Sequence, residues 1–137
     1  MTSADAAPVK VLLYSDDADT RQQVMLALGK RPHPDLPELD FVEVATEPVV
    51  IQQMDSGTIA LAILDGEAVP AGGMGICRQM KDEIYNCPPI LVLTGRVDDN
   101  WLAAWSRADA AVPHPIDPLE LADAVIRLLR SRVPATS

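Results

Sequence analysis

The chain is predicted to fold as an α/β sandwich of three layers, a five-stranded parallel sheet wound in both directions with helices on its two faces. Three observations predict it. Short apolar runs alternate with helix-length stretches from residue 9 to residue 132. The runs "VKVLLYSD" and "IALAILD" are apolar on successive residues, as strands covered on both faces are. Each strand is followed by a helix, so right-handed crossovers lead to a doubly wound (βα)5 sheet in the order 2-1-3-4-5.

Each element has its own local reason. "VKVLLYSD" (9–16) is rich in Val and Leu and reads as the first strand. "TRQQVMLALG" (20–29) puts Val24, Ala27 and Leu28 on one helical face, and Gly29 stops it. "KRPHPDLPELD" (30–40) is a proline-rich loop, and "FVEVAT" (41–46) alternates like an edge strand. "EPVVIQQMDSG" (47–57) is a short helix with proline in its first turn. "IALAILD" (59–65) is a buried strand, "GEAVPAGG" (66–73) a loop and "MGICRQMKDEIY" (74–85) a helix. "PPILVLTG" (88–95) is a strand opened by prolines, "VDDNWLAAWSRAD" (97–109) a helix and "AAVPHP" (110–115) a short strand. "IDPLELADAVIRLLRSR" (116–132) is the clearest helix, with Asp117 as N-cap, Pro118 as first residue and Glu120 completing a capping box. Leu121, Val125, Leu128 and Leu129 form its apolar stripe.

At 137 residues the chain holds one domain, expected over 9–132, with 1–8 and 133–137 as loose ends. A composition 48% hydrophobic and 23% charged is that of an ordinary soluble protein. No apolar run approaches the roughly 18 residues of a membrane span. "MTSADAAPVK" lacks the regions of a secretion signal, so a cytoplasmic location is expected. Cys77 and Cys87 have no metal-type spacing and read as free thiols. A net charge of −9 argues against nucleic-acid binding, which needs clustered Lys and Arg. It suits a basic partner or a cation site.

Ligands of such sheets bind beyond the carboxyl ends of the strands. Ser15, Asp16, Asp17, Asp65, Thr94 and His114 all fall there. His33, in a second Pro-His-Pro, falls in a helix-to-strand loop at the opposite end, so the two histidines do not share a zinc. The first strand ends in "SDDAD" and the third in "LD". Carboxylates brought together there repel unless a cation neutralises them. An oxygen-only ligand set favours Mg²⁺, bound through one or two carboxylates plus waters.

At this point the chain resembles the receiver domain of bacterial two-component response regulators, a flavodoxin-like fold, over about residues 9–132. "VLLYSDDADTR" is similar to that family's first strand and acidic turn. "LAILDGEAVPAGGMGICRQMK" is similar to its phospho-acceptor strand, loop and following helix, "PILVLTG" to its switch-hydroxyl strand, and "VPHPIDPLEL" to its last strand and helix start. The resemblance implies that Asp65 is the phospho-acceptor. It implies Mg²⁺ on Asp16, Asp65 and the backbone carbonyl of Glu67, with Thr94 as the switching hydroxyl and Gly95 keeping the approach open. It further implies a sensor histidine kinase or phosphotransfer protein as donor. The output would be a downstream protein docked on the face of helix 97–109, the last strand and the last helix, where Trp101 and Trp105 share a helix face. Neither direct nucleic-acid binding nor membrane insertion is expected.

The sequence departs from the family at several positions. Of the two acids that end the first strand, the first is Ser15 and the second Asp16; a shift of one residue would instead pair Asp16 with Asp17. The loop proline, Pro70, is one residue late. Arg107 replaces a glycine, Ala111 an aromatic, and His114 the active-site lysine. Pro115 matches a proline that follows a cis bond, so a cis His114–Pro115 bond is expected. Two functions stay open: a stand-alone receiver phosphorylated on Asp65, and a pseudo-receiver that keeps the fold as a phosphorylation-independent binding module. A small flavodoxin-like or nucleotide-binding enzyme is disfavoured, because no G-x-G-x-x-G follows the first strand and the glycines of "AGGMG" suit a turn.

Overall fold

The structure, a computed structural model, describes residues 7–68, 72–95 and 106–132. Its elements are β1 (Val9–Tyr14), α1 (Ala18–Leu28), β2 (Leu39–Val44), α2 (Glu47–Asp55) and β3 (Ile59–Asp65). They continue with α3 (Gly73–Glu83), β4 (Ile90–Thr94), β5 (Ala110–Pro113) and α4 (Pro118–Arg132). The five strands form one sheet in the order β2-β1-β3-β4-β5, with every pair parallel. The predicted fold class and strand order hold.

Alternation along the central strands divides the core in two. Val11, Leu13, Leu61, Ile63, Leu91 and Leu93 face α1 and α4, where Val24, Leu28, Leu121 and Val125 complete one cluster. Leu12, Tyr14, Ala62, Leu64, Ile90 and Val92 face α2 and α3, where Val50, Met54, Ile76 and Met80 complete the other. Both faces of β1, β3 and β4 are therefore covered, which is why their sequences run apolar without a break.

Several boundaries move. α1 starts at Ala18 rather than residue 20, because Asp17 caps it by accepting the Asp19 N–H at 2.9 Å. Gly29, at φ 62°, ends it as expected. β1 ends at Tyr14, two residues short of the expected 16, as the chain turns into that cap. β2 runs over 39–44 rather than 41–46, since Val9 already pairs with Leu39, whose buried side chain anchors the strand. α2 and α3 stop at Asp55 and Glu83, each two residues early. β4 is trimmed to Ile90–Thr94 and β5 to Ala110–Pro113.

Most of the expected helix 97–109, including Trp101 and Trp105, lies outside the described residues, as do Pro70 and the tails 1–6 and 133–137. Residues 106–109, expected as the end of that helix, form a turn in which Arg107 has φ 66°. In α4, Asp117 Oδ1 accepts the Leu119 and Glu120 N–H groups at 2.9 and 3.4 Å, and Leu121, Val125, Leu128 and Leu129 are all buried. Neither cysteine is in a disulfide. Among the described residues no helix is long and apolar enough to cross a membrane.

Candidate functional site

Asp65 is the last residue of β3 and only 3% exposed. Its carboxylate has three neighbours that offer hydrogen bonds. Oδ1 accepts the Glu67 N–H at 2.9 Å and lies 3.3 Å from His114 Nε2. Oδ2 accepts the Ser15 hydroxyl at 2.7 Å. Such donors offset the cost of burying a polar group there.

Each partner is placed by its own strand end. Ser15 follows β1, and its N–H donates to Val44 O at 3.1 Å. Arg21 of α1 donates to the Ser15 carbonyl while its Nε pairs with Glu43 at 3.1 Å. His114 follows β5, and its N–H donates to Thr94 O at 2.7 Å. The His114–Pro115 bond is cis, as expected. Asp16 is exposed at the rim. Together Asp16, Asp17, Thr20, Asp65, Glu67 and His114 line a cleft of about 390 Å³.

Thr94 is 1% exposed at the end of β4 and does not line that cleft. Glu67 is exposed, and its carboxylate lies over Gly95, where a Cβ would fall 2.5 Å from Oε1. His33 sits at the other end of the molecule, accepting the Asp35 N–H at 3.1 Å and lying beside Arg130. The two histidines do not meet.

The corner carries a negative field. The Tyr14 phenol, last in β1, is pushed up first by burial and then by Asp16, Glu47 and Asp65. The alternative register that pairs Asp16 with Asp17 brings Asp17 to the cleft, yet its carboxylate is engaged as a cap. Oδ1 takes the Asp19 N–H and Oδ2 the Thr20 hydroxyl at 3.2 Å. Ser15, not Asp17, reaches Asp65. Among the described residues no three His, Cys, Asp or Glu side chains group to hold a metal by themselves. The Asp16 and Asp65 carboxylates line the cleft, and with the Glu67 carbonyl they would offer a cation only hard oxygens. That set fits a Mg²⁺ that keeps most of its waters.

Two contributors went unread in the sequence. Gly73 opens α3 against the acceptor strand: a Cβ there would lie 2.8 Å from the Asp65 carbonyl carbon and oxygen. Arg21 fixes the carbonyl of Ser15. The Gly-Gly pair ahead of a helix was the available signal for the first, and nothing local marks the second.

Two uncharacterized response regulatory proteins of Mycobacterium tuberculosis, from strains CDC 1551 / Oshkosh and H37Rv, are similar to this chain along most of its length. Each is 67% identical over 123 residues, spanning 90% of this chain and 92% of its own. The chain belongs to the response-regulator receiver family. No family model matches it. The Francisella response regulator 1452 receiver domain superposes on this receiver with a TM-score of 0.76 at 15% identity, covering 91% of this chain and 99% of that one. The chemotaxis response regulator CheY4 of Vibrio cholerae gives 0.72 at 18%, covering 89% and 99%. A BeF3-activated DrrB receiver domain gives 0.70 at 21%, covering 90% and 99%. In this receiver Arg107, which the sequence sets at a glycine position, has a left-handed backbone. Ala111, at the position of the family's aromatic, is exposed.

Proposed function

We propose that this receiver accepts a phosphoryl group on Asp65 in phosphorelay signalling in the cytoplasm. The observation that carries the reading is the Asp65 carboxylate at a cleft shared with Asp16, Glu67 and His114. An Asp65 oxygen attacks phosphorus, the P–N bond to a phosphohistidine of a sensor kinase or phosphotransfer protein breaks, and an acyl phosphate forms. Asp16, Asp65 and the Glu67 carbonyl would hold Mg²⁺, which when bound neutralises the phosphoryl oxygens. The Glu67 N–H orients the acceptor, and the Thr94 hydroxyl turns toward the phosphoryl group. Output follows through a protein docked on the β5 and α4 face.

His114 replaces a permanent cation. A unit charge about 4 Å from the phosphoryl group is worth up to ~4 kcal/mol at an effective dielectric near 20. Losing it slows transfer by as much as about a thousandfold. A second reading, a binding module independent of phosphate, is favoured by one observation: Ser15, Glu67 and His114 already satisfy Asp65.

One experiment separates them. The protein is incubated with acetyl phosphate and Mg²⁺, and its intact mass is measured. Gain of one phosphoryl group, lost in Asp65→Asn and reduced in Asp16→Ala, is expected. No gain under any condition would leave the binding module.

A further inference from the structure

We infer that Ser15 is a positioning residue that stands in for part of the cation: its hydroxyl holds Asp65 Oδ2 and thereby weakens the grip of the site on Mg²⁺. The inference rests on the metal site proposed above and assigns a role to a residue outside its ligand set.

The geometry leaves the Ser15 hydroxyl little freedom. Ser15 is fully buried. Its oxygen accepts the Asp17 N–H at 3.0 Å, so its proton is directed to Asp65 Oδ2 at 2.7 Å. That length belongs to the short range of hydroxyl-to-carboxylate bonds. The backbone is held on both sides, by the Ser15 N–H on Val44 O and by Arg21 on the Ser15 carbonyl.

An acid at this position would face Asp65 with like charge and create a demand for a cation. Serine does the reverse. It removes one negative charge from the corner and donates a hydrogen bond to the Asp65 oxygen that faces β1, the strand end that also carries Asp16. A cation approaching that oxygen must compete with the hydroxyl. The carboxylate is thus fixed in place with or without metal.

The test is titration of ¹⁵N-labelled protein with MgCl2 at constant ionic strength, followed through the Asp17 and Glu67 amide resonances, with thermal melts to verify folding. Ser15→Ala is expected to bind Mg²⁺ about three- to tenfold more tightly, because the competing hydrogen bond to a charge is gone. Ser15→Asp is expected to bind at least about tenfold more tightly, because a charge is added. A residue of merely structural importance would give weaker binding in Ser15→Ala. Unchanged or weaker binding in a folded Ser15→Ala overturns the inference. Should that variant not fold, unchanged binding in Ser15→Asp overturns it, and so does a series in which no variant binds. The phosphorylation reading fails separately: tighter binding in Ser15→Ala alongside no mass gain in wild type keeps this inference and removes that one.

Discussion

Gly73 and Gly95 each permit a close approach near the end of β3, and what each approaches differs in kind. A Cβ at Gly73 would meet Asp65 and Leu64 backbone atoms at 2.8 Å, and backbone does not yield without moving the strand. Gly73→Ala is therefore expected to cost about 1–3 kcal/mol in urea denaturation and to slow the proposed phosphorylation, because Asp65 shifts. A Cβ at Gly95 would meet only the tip of the exposed Glu67 side chain, 2.5–2.6 Å away. That side chain can swing aside, so Gly95→Ala is expected to stay within about 0.5 kcal/mol of wild type. The opposite ranking would mean that α3 is not tightly seated on β3. Cys77 shows a simpler case of residue-level reasoning. Burial pushes its thiol up to about 11, so it behaves as a core residue and not as a nucleophile. Composition and spacing had already marked it as a free thiol. They did not place its sulfur in the layer between sheet and α3.

The turn before β5 is bound to α3 by charge. Arg107 Nη1 lies 2.6 Å from Asp82 Oδ1, and Arg78 Nε lies 3.2 Å from Asp82 Oδ2. Asp109 Oδ2 accepts from Lys81 Nζ at 2.6 Å and from the Ile90 N–H at 2.8 Å. Arg107 holds a left-handed backbone, which costs a non-glycine residue about 1–2 kcal/mol. Glycine relieves that cost but gains freedom in the unfolded chain and loses the exposed Asp82 pair, so Arg107→Gly is expected to change stability at pH 7 by less than about 1 kcal/mol. The sign with pH follows from Asp82, whose carboxyl is held below its usual range chiefly by the Arg107 hydrogen bond. A depressed carboxyl stabilises above its unfolded value near about pH 4 and loses that contribution as pH falls through its folded value. Wild type should therefore lose more stability than Arg107→Gly when taken from pH 7 to pH 3. Urea midpoints at the two pH values measure this, and parallel losses would discount the Arg107–Asp82 pair. The sequence marked Arg107 as the odd residue in a glycine position. Its partner across the turn depends on how α3 is docked.

At the scale of the molecule, one sheet is shared by two apolar layers. Leu61 and Leu64 are both fully buried, one in each layer, on the same strand. Leu61→Ala and Leu64→Ala are each expected to cost about 2–5 kcal/mol. Each variant should still unfold in a single transition, because neither layer persists without the sheet. Circular dichroism and tryptophan fluorescence should give coincident curves, whereas separated curves would show that the layers come apart independently. The same architecture puts every strand's carboxyl end on one side. The cleft therefore collects Asp16, Asp65, Glu67 and His114 from three strand ends, while His33 is left at the other end.

Local periodicity determined the strands, the helices and, through the handedness of crossovers, the strand order. Strand order in turn determined which residues lie at the cleft end, so Asp16, Asp17, Asp65 and His114 were legible from the chain alone, whereas Thr94, read at the same end, does not line the cleft. Resemblance added Glu67 and the cis bond before Pro115. Tertiary structure alone decided which atoms meet. The hydroxyl of Ser15 lies on Asp65 Oδ2 across 50 residues of sequence, and Arg107 reaches Asp82 across 25. Gly73 presses on the backbone of Asp65 because α3 docks there. Patterns of polarity report which face a residue occupies. They carry no information on separations of a few tenths of an ångström between strand ends, and those separations decide whether a carboxylate is held by a proton, a cation or both.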